Sequence, residues 1–172
     1  MDLDEPIEIV DFDPRRARGY RGERDRVRLA LATASLKFEH IGSTAVPGLA
    51  GKPIVDLMLG ASPAVWAIRD ELRPKIVALG YDDLGEAGVP RRLYFRRRTP
   101  LRSYNLALVE EDGELWRANL AFRDYLRAHP DEAAAYAAAK REAFAGGART
   151  LLAYSAAKAA AADAILQKAR GK

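Results

Sequence analysis

From Glu39 to Met58 the chain reads EHIGSTAVPGLAGKPIVDLM, a stretch whose residue types suit work on a phosphate. Gly42 lets the backbone approach an anion, Ser43 and Thr44 add hydroxyl groups, Lys52 adds a cation, and Asp56 adds a hard oxygen ligand or a base. Asp56 stands among Ile54, Val55, Leu57 and Leu59, where a carboxylate is costly unless a metal, a cation or hydrogen-bond donors meet it. A plainer reading of the same residues is a tight strand exit with the Ser43 hydroxyl bonded locally, Lys52 solvated, and Asp56 paired with an arginine or backbone donors.

Histidine occurs only twice. His40 has the strand parity of Phe38 and Gly42, which points it toward the core or the site, as a structural ring or an acid–base group. His129 precedes Pro130 at a helix end, where a partly positive ring suits the dipole. Arg91, Arg92, Arg96, Arg97, Arg98 and Arg102 form the densest charge cluster, with no acid among them. On a strand, Arg92, Tyr94, Arg96 and Arg98 share one face, which makes either a groove for triphosphate or RNA or a solvated edge guarded against aggregation. Tyr136 and Lys140, like Tyr154 and Lys158, stand four apart and read as helix packing with a polar tip.

These side chains need elements to position them, and the order of apolar runs and turn signals predicts an α+β fold. A short strand is expected at Ile7 to Val10, then a helix from the Asp13-Pro14 cap to about Ser35, with Val27, Leu31 and Ala34 on its buried face. Strands are expected at Phe38 to Gly42, Ile54 to Leu59, Arg91 to Arg98 and Ser103 to Val109. A helix over Pro63 to Leu79 carries Pro74 inside it, implying a kink or an early end, and Tyr81 to Pro90 reads as a loop. Three helices close the chain at Glu114 to Ala128, Pro130 to Ala145 and Thr150 to Ala169.

Composition bounds the function. A length of 172 residues suits one domain, here 1–172, with a full core. No cysteine is present, which excludes disulfides, zinc-thiolate sites and thiol nucleophiles and fits a reducing compartment. The first thirteen residues carry six acids and no Lys or Arg, unlike a signal peptide, and the longest apolar run, Ala133 to Ala139, is too short for a membrane span. A cytoplasmic protein with no membrane partner is expected. The net charge of +4 rests on 21 Arg against 7 Lys, which suits anionic partners and also follows from a GC-rich genome.

The string EHIGSTAVPGLAGKPIVDLM, together with FRDYLRAHPDEAAAYAAAK from Phe122 and YSAAK from Tyr154, resembles the GrpB family of the nucleotidyltransferase superfamily over nearly the whole chain. The resemblance implies a nucleotidyltransferase-like mixed sheet flanked by helices, with a helical C-terminal part. It also implies a Gly-Ser turn facing the phosphates of a nucleotide or other phosphorylated small molecule, and a strand acid for Mg²⁺. On that basis Asp56 is the expected catalytic and metal residue. Gly42, Ser43, Thr44, Lys52, His40, Arg92, Arg96, Asn105 and Arg123 are the expected substrate-binding residues. Active superfamily members place two acids at alternate strand positions, and here the second position is Met58. Many relatives carry a His-Leu-His run on the later strand, and here Asn105-Leu106-Ala107 stands there. Nucleotidyl transfer with Mg²⁺, an inactive nucleotide-binding or regulatory module, and an RNA-contacting protein using the arginine strand are the three functions these residues admit.

Overall fold

The computed structural model describes residues 4–32 and 35–171, so the expected core position Ala34 lies outside the described residues. Five strands make one mixed sheet: β1 (Leu36–Ile41), β2 (Ile54–Ala61), β3 (Asp82–Asp83), β4 (Arg92–Arg98) and β5 (Ser103–Glu110), in the order β1-β2-β5-β4-β3. The central pair β2 and β5 is parallel, and the other neighbours are antiparallel. Both central strands are buried on two sides, which is why they read as nearly unbroken apolar runs. Around the sheet lie α1 (Arg15–Ala30), α2 (Pro63–Ala67), α3 (Arg73–Ala78), α4 (Glu114–Ala128), α5 (Pro130–Ala145), α6 (Leu151–Ala157) and α7 (Ala159–Ala169).

Strand parity divides the side chains between two layers. Val55, Leu57 and Leu59 of β2, Leu106 and Leu108 of β5, and Phe95 of β4 form the main core with Val27 of α1, Leu31 just after it, and Ile76 of α3. On the opposite face Ile41, Met58 and Val109 meet Trp116 of α4. Beyond them, α4, α5 and α7 form a further cluster with Val46, Leu49 and Ala50. This arrangement is the expected α+β class, a mixed sheet with helices on its flanks and a helical C-terminal part. Among the described residues no helix is long and apolar enough to cross a membrane.

Several boundaries differ from expectation. Ile7 to Val10 is not a strand; this segment makes isolated bridges, Pro6 to Thr150 and Val10 to Gly51, because its partners belong to separate loops. The α1 helix ends at Ala30, short of Ser35, where the Leu31 N–H still donates to Val27 O at 3.0 Å. The expected helix over 63–79 is three pieces: α2, a 3₁₀ turn at Arg69–Glu71, and α3. Pro74 falls in the first turn of α3, where a missing N–H leaves no helical bond unmade. The last expected helix is divided into α6 and α7 at Lys158. The loop over 81–90 contains the short β3, which pairs with Arg96 and Phe95.

Candidate functional site

A cavity of about 430 Å³ opens between the β2-β5-β4 face and the helices α4 to α7. Its floor follows from register: Asp56 opposes Ile41 on β1 and Asn105 on β5, Met58 opposes Ala107, and Ala107 opposes Tyr94. All six of these residues line the cavity. The chain leaves β1 through Gly42, whose φ of 71° lies in the left-handed region. A Cβ there would stand 2.4 Å from Asp56 Oδ2, so the absent side chain is what allows the turn and the acid to meet. Gly42, Ser43 and Asp56 thus face one space.

Ser43 is held from the helical side. Lys140 Nζ of α5 donates to Ser43 Oγ at 2.9 Å and to Ala50 O. Gly51 makes room for this contact, since a Cβ there would lie 2.6 Å from Ser43 Oγ and 3.2 Å from Lys140 Nζ. The Lys140 ammonium also sits over the Tyr136 ring at 4.8 Å. Lys140 is only 1% exposed, and burial, helped by Lys158, Arg141 and Lys52, pushes its ammonium down to about 7. Lys158 donates to Tyr136 OH at 3.4 Å and lies beside the Tyr154 ring. Lys52 lines the same space, and burial lowers its ammonium against the pull of Asp56. Tyr154, also a lining residue, has a buried hydroxyl with no hydrogen-bond partner.

Asp56 is raised by burial, and Lys52, an Asn105 hydrogen bond, Arg98 and Lys158 pull the other way. Asn105 Nδ2 donates to Asp56 Oδ1 at 2.7 Å, and its own Oδ1 accepts from Arg98 at 3.2 Å. The carboxamide therefore has its oxygen and nitrogen assigned by its two neighbours. The Met58 side chain, at the second acid position, is fully buried in the Ile41, Val109 and Trp116 cluster. Among the described residues no group of three His, Cys, Asp or Glu side chains is placed to hold a metal ion. On the sheet floor one carboxylate, a carboxamide and a thioether, with lysines close by, do not fit a two-metal centre that demands several hard oxygen ligands.

Of the expected residues, Gly42, Ser43, Lys52, Asp56, Arg92 and Asn105 line the cavity, and His40, Thr44, Arg96 and Arg123 do not. His40 falls on the α1 face: its Nε2 bonds Thr44 Oγ1 at 2.9 Å and its ring stacks on Tyr20 at 4.5 Å. Thr44 is buried beneath the turn, close to Ile54 O. Arg96 has the cavity-face parity but is buried against Glu5 at 3.4 Å, beyond the end of the cavity. Arg123 lies beyond the β1 edge, bound to Glu39 at 2.5 Å, His40 O at 3.0 Å and Asp124 at 2.7 Å. The arginine strand is engaged internally as well, since Arg91 pairs with Glu110, Arg97 with Glu23, and Arg98 with Glu5. Sequence reading missed Lys140, Lys158 and Tyr154 as cavity residues; the signal was the twice-repeated Tyr-x-x-x-Lys spacing, taken for packing alone.

Comparisons with known proteins show the family. The family model described as GrpB protein matches residues 6–168. A UPF0157 protein of Deinococcus radiodurans is 33% identical over 166 residues, 96% of this chain and 84% of that protein. The UPF0157 protein YqkA of Bacillus subtilis is 32% identical over 136 residues, which cover 79% of this chain but 39% of that longer protein. The crystal structure of conserved protein GrpB from Enterococcus faecalis superposes with a TM-score of 0.80 at 28% identity, covering 94% of this chain and 98% of that one.

Proposed function

The chain belongs to the GrpB family, and from that premise we propose that its cavity binds a phosphorylated small molecule, a nucleotide being the class favoured by the superfamily resemblance. The observation that carries this reading is the convergence of Lys52, Lys140 and Lys158 with the Gly42-Ser43 turn on one concave space. Ammonium groups so placed repel one another, and an anion that enters relieves the repulsion and supplies acceptors. Ser43 and Tyr154 add hydroxyl groups to the lining of the same space. The rest of the lining, including Leu115, Ala118 and Phe122, offers apolar surface to the remainder of the ligand.

Asp56 serves in this reading as a partner to Lys52 and Asn105 that fixes the floor of the site. Binding is the function proposed; nucleotidyl transfer would ask Asp56 to hold Mg²⁺ without the second acid. The test is a thermal-shift panel of nucleoside triphosphates, with and without Mg²⁺, on the parent chain and on Asp56→Asn. Binding is expected without Mg²⁺, and Asp56→Asn is expected to keep or strengthen it, because a negative charge leaves a site for anions. Absence of any shift across the panel would remove the proposal, and binding that requires both Mg²⁺ and Asp56 would restore the transfer reading.

A further inference from the structure

We infer that Lys140 takes up a proton when the ligand binds, which makes the site selective for multiply charged phosphates over singly charged anions; this rests on the phosphate-binding reading above. Four cationic side chains, Lys52, Arg92, Lys140 and Lys158, line the cavity against two carboxylates, Asp56 and Asp163. With all ionised the lining carries an excess of two positive charges, and with Lys140 neutral the excess is one. A monoanion is therefore balanced by the neutral form, whereas a di- or trianion demands the ammonium.

The surroundings of Lys140 fit either state. Its bonding partners are the Ser43 hydroxyl and the Ala50 carbonyl, with the Tyr136 ring beneath it. A hydroxyl can accept from an ammonium or donate to a neutral amine, so the contact survives loss of the proton. No carboxylate among the described residues pairs with Lys140 to hold its charge. The charged groups facing it are Lys52 from the loop before β2, Lys158 between α6 and α7, and Arg141 on its own helix, the last already paired with Asp11. Asp56 on β2 and Asp163 on α7 lie across the same cavity, and Tyr136 and Tyr154 are the neighbouring phenols. Burial among cations lowers the Lys140 ammonium to about 7, so both forms exist near neutrality before the ligand enters.

The test is titration calorimetry of the full chain with ATP, without Mg²⁺, at pH 8 in two buffers of different ionisation enthalpy. An uptake approaching one proton is expected for the parent beyond whatever Lys140→Met shows, since the ligand's own titration is common to both. The parent's affinity is expected to fall about five- to tenfold per pH unit above pH 7, as an additional proton must be captured. If Lys140→Met does not fold, lysine-directed ¹³C NMR of the parent reads the charge directly: the Lys140 ε-carbon is expected to move to its ammonium position on adding ATP at pH 8. Binding with no proton uptake and no such movement would overturn the inference and leave the binding site standing. Failure of both ATP and inorganic tripolyphosphate to bind would overturn the site itself.

Discussion

His40 shows how one residue's surroundings decide between chemistry and structure. Burial, with Arg127 and Arg123 nearby, lowers its imidazole from 6.5 to about 4, so the folded protein holds the ring neutral against Thr44 and Tyr20. A base whose folded value is depressed contributes stability fully above its unfolded value, and that contribution is lost as pH falls from about 6.5 toward about 4. Urea unfolding of the parent is expected to weaken by about 2 kcal/mol more across that window than unfolding of His40→Gln, which has no proton to take up; parallel curves would refute this. At the same scale, the site was half legible in the sequence. Gly42, Ser43 and Asp56 were readable because a glycine at a strand exit and a carboxylate in an apolar run each break a local rule, and both fall in one linear stretch. Lys140 and Lys158 were not, because a lysine four residues after a tyrosine breaks no rule; only the folding of α5 and α6 over the sheet brings Lys140 to Ser43 and Lys158 into the same cavity.

At the scale of elements, the N-terminal segment acts as a strap. Pro6 bridges Thr150, Val10 bridges Gly51, and Leu151 N donates to Glu5 O at 2.9 Å, so residues ahead of α1 tie the start of α6 to the loop that carries Lys52. Glu5 closes the strap on β4 through Arg98, at 2.5 and 3.1 Å, and Arg96 at 3.4 Å. Burial pushes the Glu5 carboxyl up, but Arg98, Arg96 and Lys52 together hold it below the usual value. A carboxylate with a depressed folded value stabilises above its unfolded value of 4.5 and loses that contribution as pH falls. Glu5→Gln is expected to cost about 1–2 kcal/mol at pH 7 for this partly buried cluster, with the deficit closing below the unfolded value. Hydrogen exchange should show the Leu151 amide less protected in the variant; unchanged protection would mean that the backbone bridges suffice. This strap was misread as a strand because Ile7, Ile9 and Val10 have strand composition, while the segment bridges only through Pro6 to Thr150 and Val10 to Gly51, which are remote in sequence. The central strands were legible as apolar runs and α4 by its amphipathic pattern, while α5 was legible from Pro130 at its start and Gly146-Gly147 at its end; the break at Lys158 has neither Pro nor Gly to announce it.

For the whole molecule, the question is where a net charge of +4 acts. Four of the six clustered arginines, Arg91, Arg96, Arg97 and Arg98, pair with Glu110, Glu5 and Glu23, and Arg92 faces the cavity, so the strand that looked like an RNA groove is in large part engaged by the chain's own acids. In the cavity, Lys140 has no carboxylate among its influences and is lowered by burial with Lys158, Arg141 and Lys52 nearby, while Lys52 is lowered by burial against the pull of Asp56 and Glu5. Surface charge and cavity charge therefore answer differently to salt. Exposed charges farther apart than a Debye length, about 10 Å at 0.1 M, are screened, and buried ones much less so. Oligonucleotide contacts release counterions and lose affinity by orders of magnitude between about 50 and 200 mM salt. A triphosphate seated in the cavity is expected to keep most of its thermal shift across that range, while any binding of a single-stranded RNA disappears. Parallel loss of both would place the anion on the surface arginines and away from Ser43, because only a ligand outside the cavity would share the RNA's exposure to screening.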